Sequence, residues 1–142
     1  MSLEENKAVV LRMTEELYNK GNIESADQFF AGAYVHRDPA SPHVTDLAGL
    51  KETLRAFRAA CPDLHITSDE LLADGDKVTK RWTLHGTHTA DLGGLPPTGR
   101  RITLSGLELF RLANGKIVES WVAYDNLSLL QQLGAIPTPE PA

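Results

Sequence analysis

The sequence predicts an α+β domain in which helices cover one face of a curved sheet. Apolar residues recur at helical spacing as far as Cys61, the pattern changes to two-residue alternation after Pro62, and glycine-containing turns separate the alternating runs. The first helix spans residues 3–19, with Leu3, Val10, Met13 and Leu17 on its apolar side, Ser2 and Glu5 as a capping box and Gly21 as its stop. A short second helix starts at Asn22 and carries Ile23, Ala26, Phe29 and Phe30. A third begins at Thr45 or Asp46, aligns Leu47, Leu50, Leu54 and Phe57, and ends before Pro62, because proline disfavours helix at the preceding residue. The segment holding Tyr34 and His36, between the second and third helices, reads as irregular.

Four strands follow, over residues 64–73, 77–88, 100–112 and 116–125. Asp74, Gly75 and Asp76 join the first two, and Asn114 with Gly115 the last two, both sequences that tolerate positive φ in a hairpin. Leu127, Leu130 and Leu133 mark a short closing helix that stops at Gly134. One domain over residues 1–136 is expected, with a flexible proline-rich tail over 137–142.

Composition excludes several functions. Net charge is −5 and no basic cluster exceeds Arg100 with Arg101, which argues against a nucleic-acid partner. No apolar run is long enough to cross a bilayer, and the N-terminus has no signal-peptide core. The single cysteine, Cys61, forms no intrachain disulfide and reads as a packing residue, so a cytoplasmic setting is expected. There is no metal-binding His/Cys motif, no glycine-rich phosphate loop between a strand and a helix, and no nucleophile elbow. His85 and His88 are three apart on a strand and therefore point to opposite faces, so neither a metal nor a cofactor is expected.

Strict alternation along the last strand places Ile117, Glu119, Trp121, Ala123 and Asp125 on one face, and Val118, Ser120, Val122 and Tyr124 on the other. A carboxylate beside Trp121 in a desolvated pocket is suited to proton transfer. From position alone Asp125 reads first as the cap of the closing helix, since aspartate is a favoured N-cap. His36 is a second candidate for proton transfer, and His88, sharing a face with Trp82 and Leu84, is a candidate pocket residue.

Gly86, Thr87, His88 and Thr89, followed by Gly94, Leu95, Pro96, Pro97, Thr98 and Gly99, resemble a signature of the SnoaL-like polyketide and ester cyclases, which belong to the nuclear-transport-factor-2-like superfamily. Asn114 to Trp121, then Asp125, Gln132, Leu133 and Gly134, resemble its C-terminal signature, and Tyr34 with His36 an element of its first half. Ala90 replaces the glycine that often closes the first string. The resemblance implies a cone-shaped, antiparallel or mixed sheet wrapped by N-terminal helices, a deep apolar pocket, a homodimer and catalysis without cofactor. It also implies an intramolecular aldol-type closure of a polyketide-like or ester substrate, with Asp125 as acid/base. His36 would assist, and Tyr34, Trp82, His88 and Trp121 would contact the substrate. A related lyase or isomerase, a non-catalytic small-molecule binder and a hydrolase resembling limonene-epoxide hydrolases are the alternatives. The dimer is expected through the sheet's outer face, carrying Val118, Val122 and Tyr124.

Overall fold

The computed structural model describes residues 1–138; the remainder of the proline-rich tail lies outside the described residues. Helix α1 (Leu3–Met13) starts at the expected capping box, in which the Glu5 N–H donates to Ser2 Oγ at 3.1 Å and the Ser2 N–H to Glu5 Oε1 at 3.2 Å. It does not continue as α-helix to residue 19. Thr14–Asn19 form a π-helical turn, with the Lys20 N–H reaching back to the Glu15 carbonyl at 2.9 Å. The wider turn keeps Thr14 and Leu17 buried and brings Tyr18 to the cavity described below. Asn19 then mimics a strand partner, exchanging two hydrogen bonds with the Ile66 backbone at 2.7 and 3.0 Å. A 3-10 helix (Ile23–Gln28) occupies the place of the predicted second helix.

The segment read as irregular is a strand, β1 (Phe30–Arg37). Its alternation is broken by a register irregularity between Phe30 and Val35, and its partner lies at the far end of the chain. Helix α2 (Leu47–Ala60) is capped by Asp46, whose Oδ1 accepts the Gly49 N–H at 2.8 Å, and it ends before Pro62 as expected. Strands β2 (His65–Asp74), β3 (Lys77–Thr87), β4 (Arg101–Ala113) and β5 (Lys116–Tyr124) form an antiparallel meander, and helix α3 (Asn126–Gln132) closes the chain. The sheet order is β1-β5-β4-β3-β2, with β1 parallel to β5. Asn114 (φ 51°) and Gly115 (φ 76°) supply the positive φ values that a tight hairpin needs.

The helices bury Val10, Met13 and Leu17 against Val78, Phe110 and Ile117, each side chain contributing about 1.5–3 kcal/mol. A second apolar cluster joins Leu64, Ile66, Trp82 and Leu84 to Leu129 and Leu133 of the closing segment. Leu127, one of the leucines that marked that helix, is exposed instead. Among the described residues no helix is long and apolar enough to cross a membrane.

The two faces of β5 are not as strict alternation predicts. Leu112 pairs with Ile117 and Arg111 with Glu119, so Val118 is an extra residue in a bulge. A bulge reverses parity for everything after it. Ile117 and Ser120 therefore both point inward, followed by Val122 and Tyr124, while Glu119, Trp121 and Ala123 lie on the outer side. Val122 and Tyr124, expected in a dimer contact, are cavity residues.

Candidate active site

The inner sheet face reads as rows of paired residues. Val78, Phe110, Ser120 and His36 form one row, and Lys80, Glu108 and Val122 the next. Trp82, Gly106 and Tyr124 form a third, and Leu84 with Leu104 a fourth. With α2 and α3 opposite, contributing Leu50, Leu54, Phe57 and Leu129, these rows enclose a mainly apolar cavity of about 140 Å³. Its polar groups are Tyr18, His36, Asp38, Ser41, Thr53, Lys80, Glu108 and Tyr124.

His36 is buried, and its ring is held by Tyr34, whose hydroxyl lies 2.8 Å from Nδ1. That hydroxyl is also 2.5 Å from Ser120 Oγ, giving a continuous chain Ser120–Tyr34–His36 inside the protein. With Nδ1 engaged, Nε2 is the nitrogen left for a ligand. Burial holds the His36 pKa below its ordinary value, opposed by the nearby Asp38 carboxylate, so the imidazole is neutral near pH 7. Burial also raises the Tyr34 phenol far above its usual range, so it stays protonated. When it donates to Ser120 Oγ it accepts the His36 Nδ1–H, the tautomer that leaves Nε2 free to take up a proton.

Lys80 and Glu108 face each other across the β3–β4 register, and both are buried. Burial lowers the Lys80 pKa to about 8, with Glu108 opposing the shift. Burial raises the Glu108 carboxyl, against the pull of Lys80 and the Ser120 hydroxyl. Neither residue stands out by type, since charged residues in strands are usually solvated. The available signal is parity. Lys80 alternates with Val78, Trp82 and Leu84, and Glu108 with Leu104, Phe110 and Leu112, which places both on the apolar face.

Of the residues expected to act, His36 and Trp82 line the cavity, and Tyr34 supports His36 from behind. The Trp82 indole N–H is buried without a protein partner among the described residues. Asp125 stands outside the lining. It is exposed and caps α3, accepting the Ser128 N–H at 2.9 Å. Trp121 lies on the outer face because of the Val118 bulge, with the Arg37 guanidinium 6.0 Å from its ring centroid. Glu119, beside it, bridges Arg37 at 2.8 Å and Arg111 at 3.2 Å.

His88 is fully buried on the predicted face but does not line the cavity. It stitches down the loop that follows it. Nδ1 is 3.0 Å from Thr98 Oγ1 and 3.3 Å from the Thr98 N–H, and the His88 carbonyl accepts the Gly99 N–H at 2.8 Å. Gln132 does similar work on α3, exchanging two 2.8 Å hydrogen bonds with the Thr103 backbone. These two motifs thus hold a loop and a helix on the sheet.

A cone of helices on a curved mixed sheet, closed over a small apolar cavity with a few buried titratable groups, defines a small-molecule-handling protein of the nuclear-transport-factor-2-like fold. The chain belongs to the SnoaL-like polyketide cyclase family, whose sequence profile matches residues 8–133. It is 30% identical over 136 residues to the aklanonic acid methyl ester cyclase DnrD of Streptomyces peucetius, covering 92% of this chain and 93% of that protein. It is 28% identical over 125 residues to the nogalonic acid methyl ester cyclase of Streptomyces nogalater, covering 82% and 89%. Among solved structures, AclR of Streptomyces galilaeus superposes with a TM-score of 0.88 at 27% identity, covering 98% of this chain and 87% of that one.

Proposed function

We propose that this protein is a cofactor-independent cyclase that closes a ring within a polyketide-like or ester substrate by an intramolecular aldol-type step. The carrying observation is the Ser120–Tyr34–His36 chain ending in a buried imidazole at an otherwise apolar cavity. A hydrogen between two carbonyls is acidic enough for a neutral imidazole to remove in a desolvated site, and the enolate needs a hydrogen-bond donor from among the polar groups of the lining. A cavity of about 140 Å³ takes roughly one ring of a ligand, comparable to a benzene-sized site.

The likeness to the cyclases favours a second reading, in which Asp125 is the acid/base. Its place between Tyr124 and Leu129, both cavity residues, supports that reading; its exposure and its bond to Ser128 support the cap. Asp125→Asn separates the two, because asparagine caps a helix as well as aspartate but cannot take up a proton at neutral pH. Assayed on chains bearing a 1,3-dicarbonyl and a methyl ester, His36→Gln lowers kcat by about 10²–10⁴ and Asp125→Asn leaves it within a few-fold. Loss in Asp125→Asn with activity kept in His36→Gln transfers the role to Asp125.

We also propose a cytoplasmic homodimer joined through the outer sheet face. Its support is an apolar row across the strands, in which Leu72, Thr79, Leu109 and Trp121 are successive partners, with Leu107 exposed beside it.

A further inference from the structure

Lys80 differs from every other lysine of the chain. Lys7, Lys20, Lys51 and Lys77 each pair with a carboxylate near the surface, and Lys116 donates to the Asp27 carbonyl. Lys80 is 2% exposed, and its Nζ donates to Thr14 Oγ1 at 2.8 Å. The same nitrogen stands 5.4 Å from the Phe110 ring centroid and 5.8 Å from that of Tyr18. No carboxylate oxygen of the described residues lies within 4.0 Å of it. It is an amine set into the wall of an apolar cavity, a setting that favours the neutral, nucleophilic form. Glu108 faces it across the sheet, and the same burial favours the protonated acid there. An amine and an acid on one cavity wall are the parts needed to condense with a carbonyl.

We infer that Lys80 forms a covalent imine with a ketone or aldehyde group of a ligand held in the cavity. The Nζ lone pair attacks the carbonyl carbon, and the oxygen takes a proton to give a carbinolamine. The carbon–oxygen bond then breaks as Glu108 protonates the departing hydroxyl. Water leaves, a carbon–nitrogen double bond forms, and the proton released from nitrogen returns to Glu108. No oxidant or reductant is involved. With a 1,3-diketone the imine tautomerises to a conjugated enaminone. The step uses neither His36 nor Asp125 and goes beyond the cyclisation proposed above.

The test is incubation of the intact protein with 1-phenylbutane-1,3-dione. A near-ultraviolet enaminone band should appear, with a mass gain equal to the diketone less one water. Peptide mapping should place it on Lys80 alone. The groups around this amine are Thr14 and Tyr18 on the π turn, Glu108 on β4, and His36, Asp38 and Tyr124 at the cavity's other side. Of these, the carboxyl of Glu108 opposes the fall of the lysine pKa to about 8. The rate should therefore climb about tenfold per pH unit below that point, and turn down where Glu108 gives up the proton that the dehydration step needs. Lys80→Met and Lys80→Arg should lose the band; if either fails to fold, the map on the unsubstituted protein decides. Absence of a Lys80 adduct, or adducts spread over Lys20, Lys77 and Lys116, overturns the inference. Failure of the cyclisation assay with a Lys80 adduct present removes the cyclase reading and leaves this one standing.

Discussion

Replacing Gly106 by alanine tests whether the inner sheet wall is as tightly built as its rows imply. Gly106 sits between Trp82 and Tyr124 in the third row. An added Cβ would lie 2.4 Å from Trp82 Cζ2, 2.7 Å from Cε2 and 2.8 Å from the Ala123 carbonyl oxygen. The backbone oxygen belongs to a paired strand and cannot swing away, so the indole has to move, and its open side is the cavity. Overpacking of this kind costs about 1–3 kcal/mol, which for a domain of this size lowers Tm by about 2–12 °C. Gly32→Ala is the matched control. It lies on β1 with nothing within 4 Å of the place an alanine methyl group would take, so it should be neutral or stabilise by about 0.4–1 kcal/mol. Thermal unfolding and tryptophan emission report both quantities, since Trp82 is buried and Trp121 is not. A Gly106→Ala protein melting within about 1 °C of the parent, with unchanged emission, would refute the tight Trp82–Gly106 stack.

Asp125→Ala, unlike Asp125→Asn, should destabilise by about 0.5–2 kcal/mol in urea unfolding, because α3 loses its cap bond to Ser128. His36 makes stability depend on pH. Its folded pKa is depressed below the ordinary 6.5, so its contribution is present above that value and is lost as pH falls through the lower folded value. Urea midpoints followed downward from pH 7 should fall more steeply in the parent than in His36→Gln, and parallel curves would contradict the burial of this imidazole.

The helices, the two tight hairpins and the Asp46 cap were legible because local chemistry decides them: capping residues, Pro62, and Asn114 with Gly115 at positive φ. What failed depended on contacts distant in sequence. The Val118 bulge is defined by pairing with Arg111 and Leu112, and without it strict alternation sends Trp121 inward and Tyr124 outward. Strand β1 escaped notice because its partner is β5, and its own alternation is interrupted. The signature residues around His88 and Gln132 pointed to the family correctly, although their side chains tie down a loop and a helix. Lys80 and Glu108 were missed for a different reason. Their parity is readable, but charged side chains in strands ordinarily face water, and residue type outweighed position.

The parallel pairing of β1 with β5 also joins segments that lie far apart in the chain. Each strand of the meander β2-β3-β4-β5 has its partner next to it in the chain, with tight turns joining β2 to β3 and β4 to β5 and the longer segment 88–100 joining β3 to β4. β1 has no strand partner until β5 exists, and the Phe30–Ile117 pairing closes a loop of more than half the chain. His36 lies on β1 and Ser120 on β5, so the hydrogen-bonded chain that orients the imidazole is completed only when those two strands meet. During synthesis this chain of hydrogen bonds therefore cannot form before β5 has emerged, after the two longer helices and β2 to β4. Any lesion that loosens the β1 edge should disarm the imidazole while leaving the meander folded.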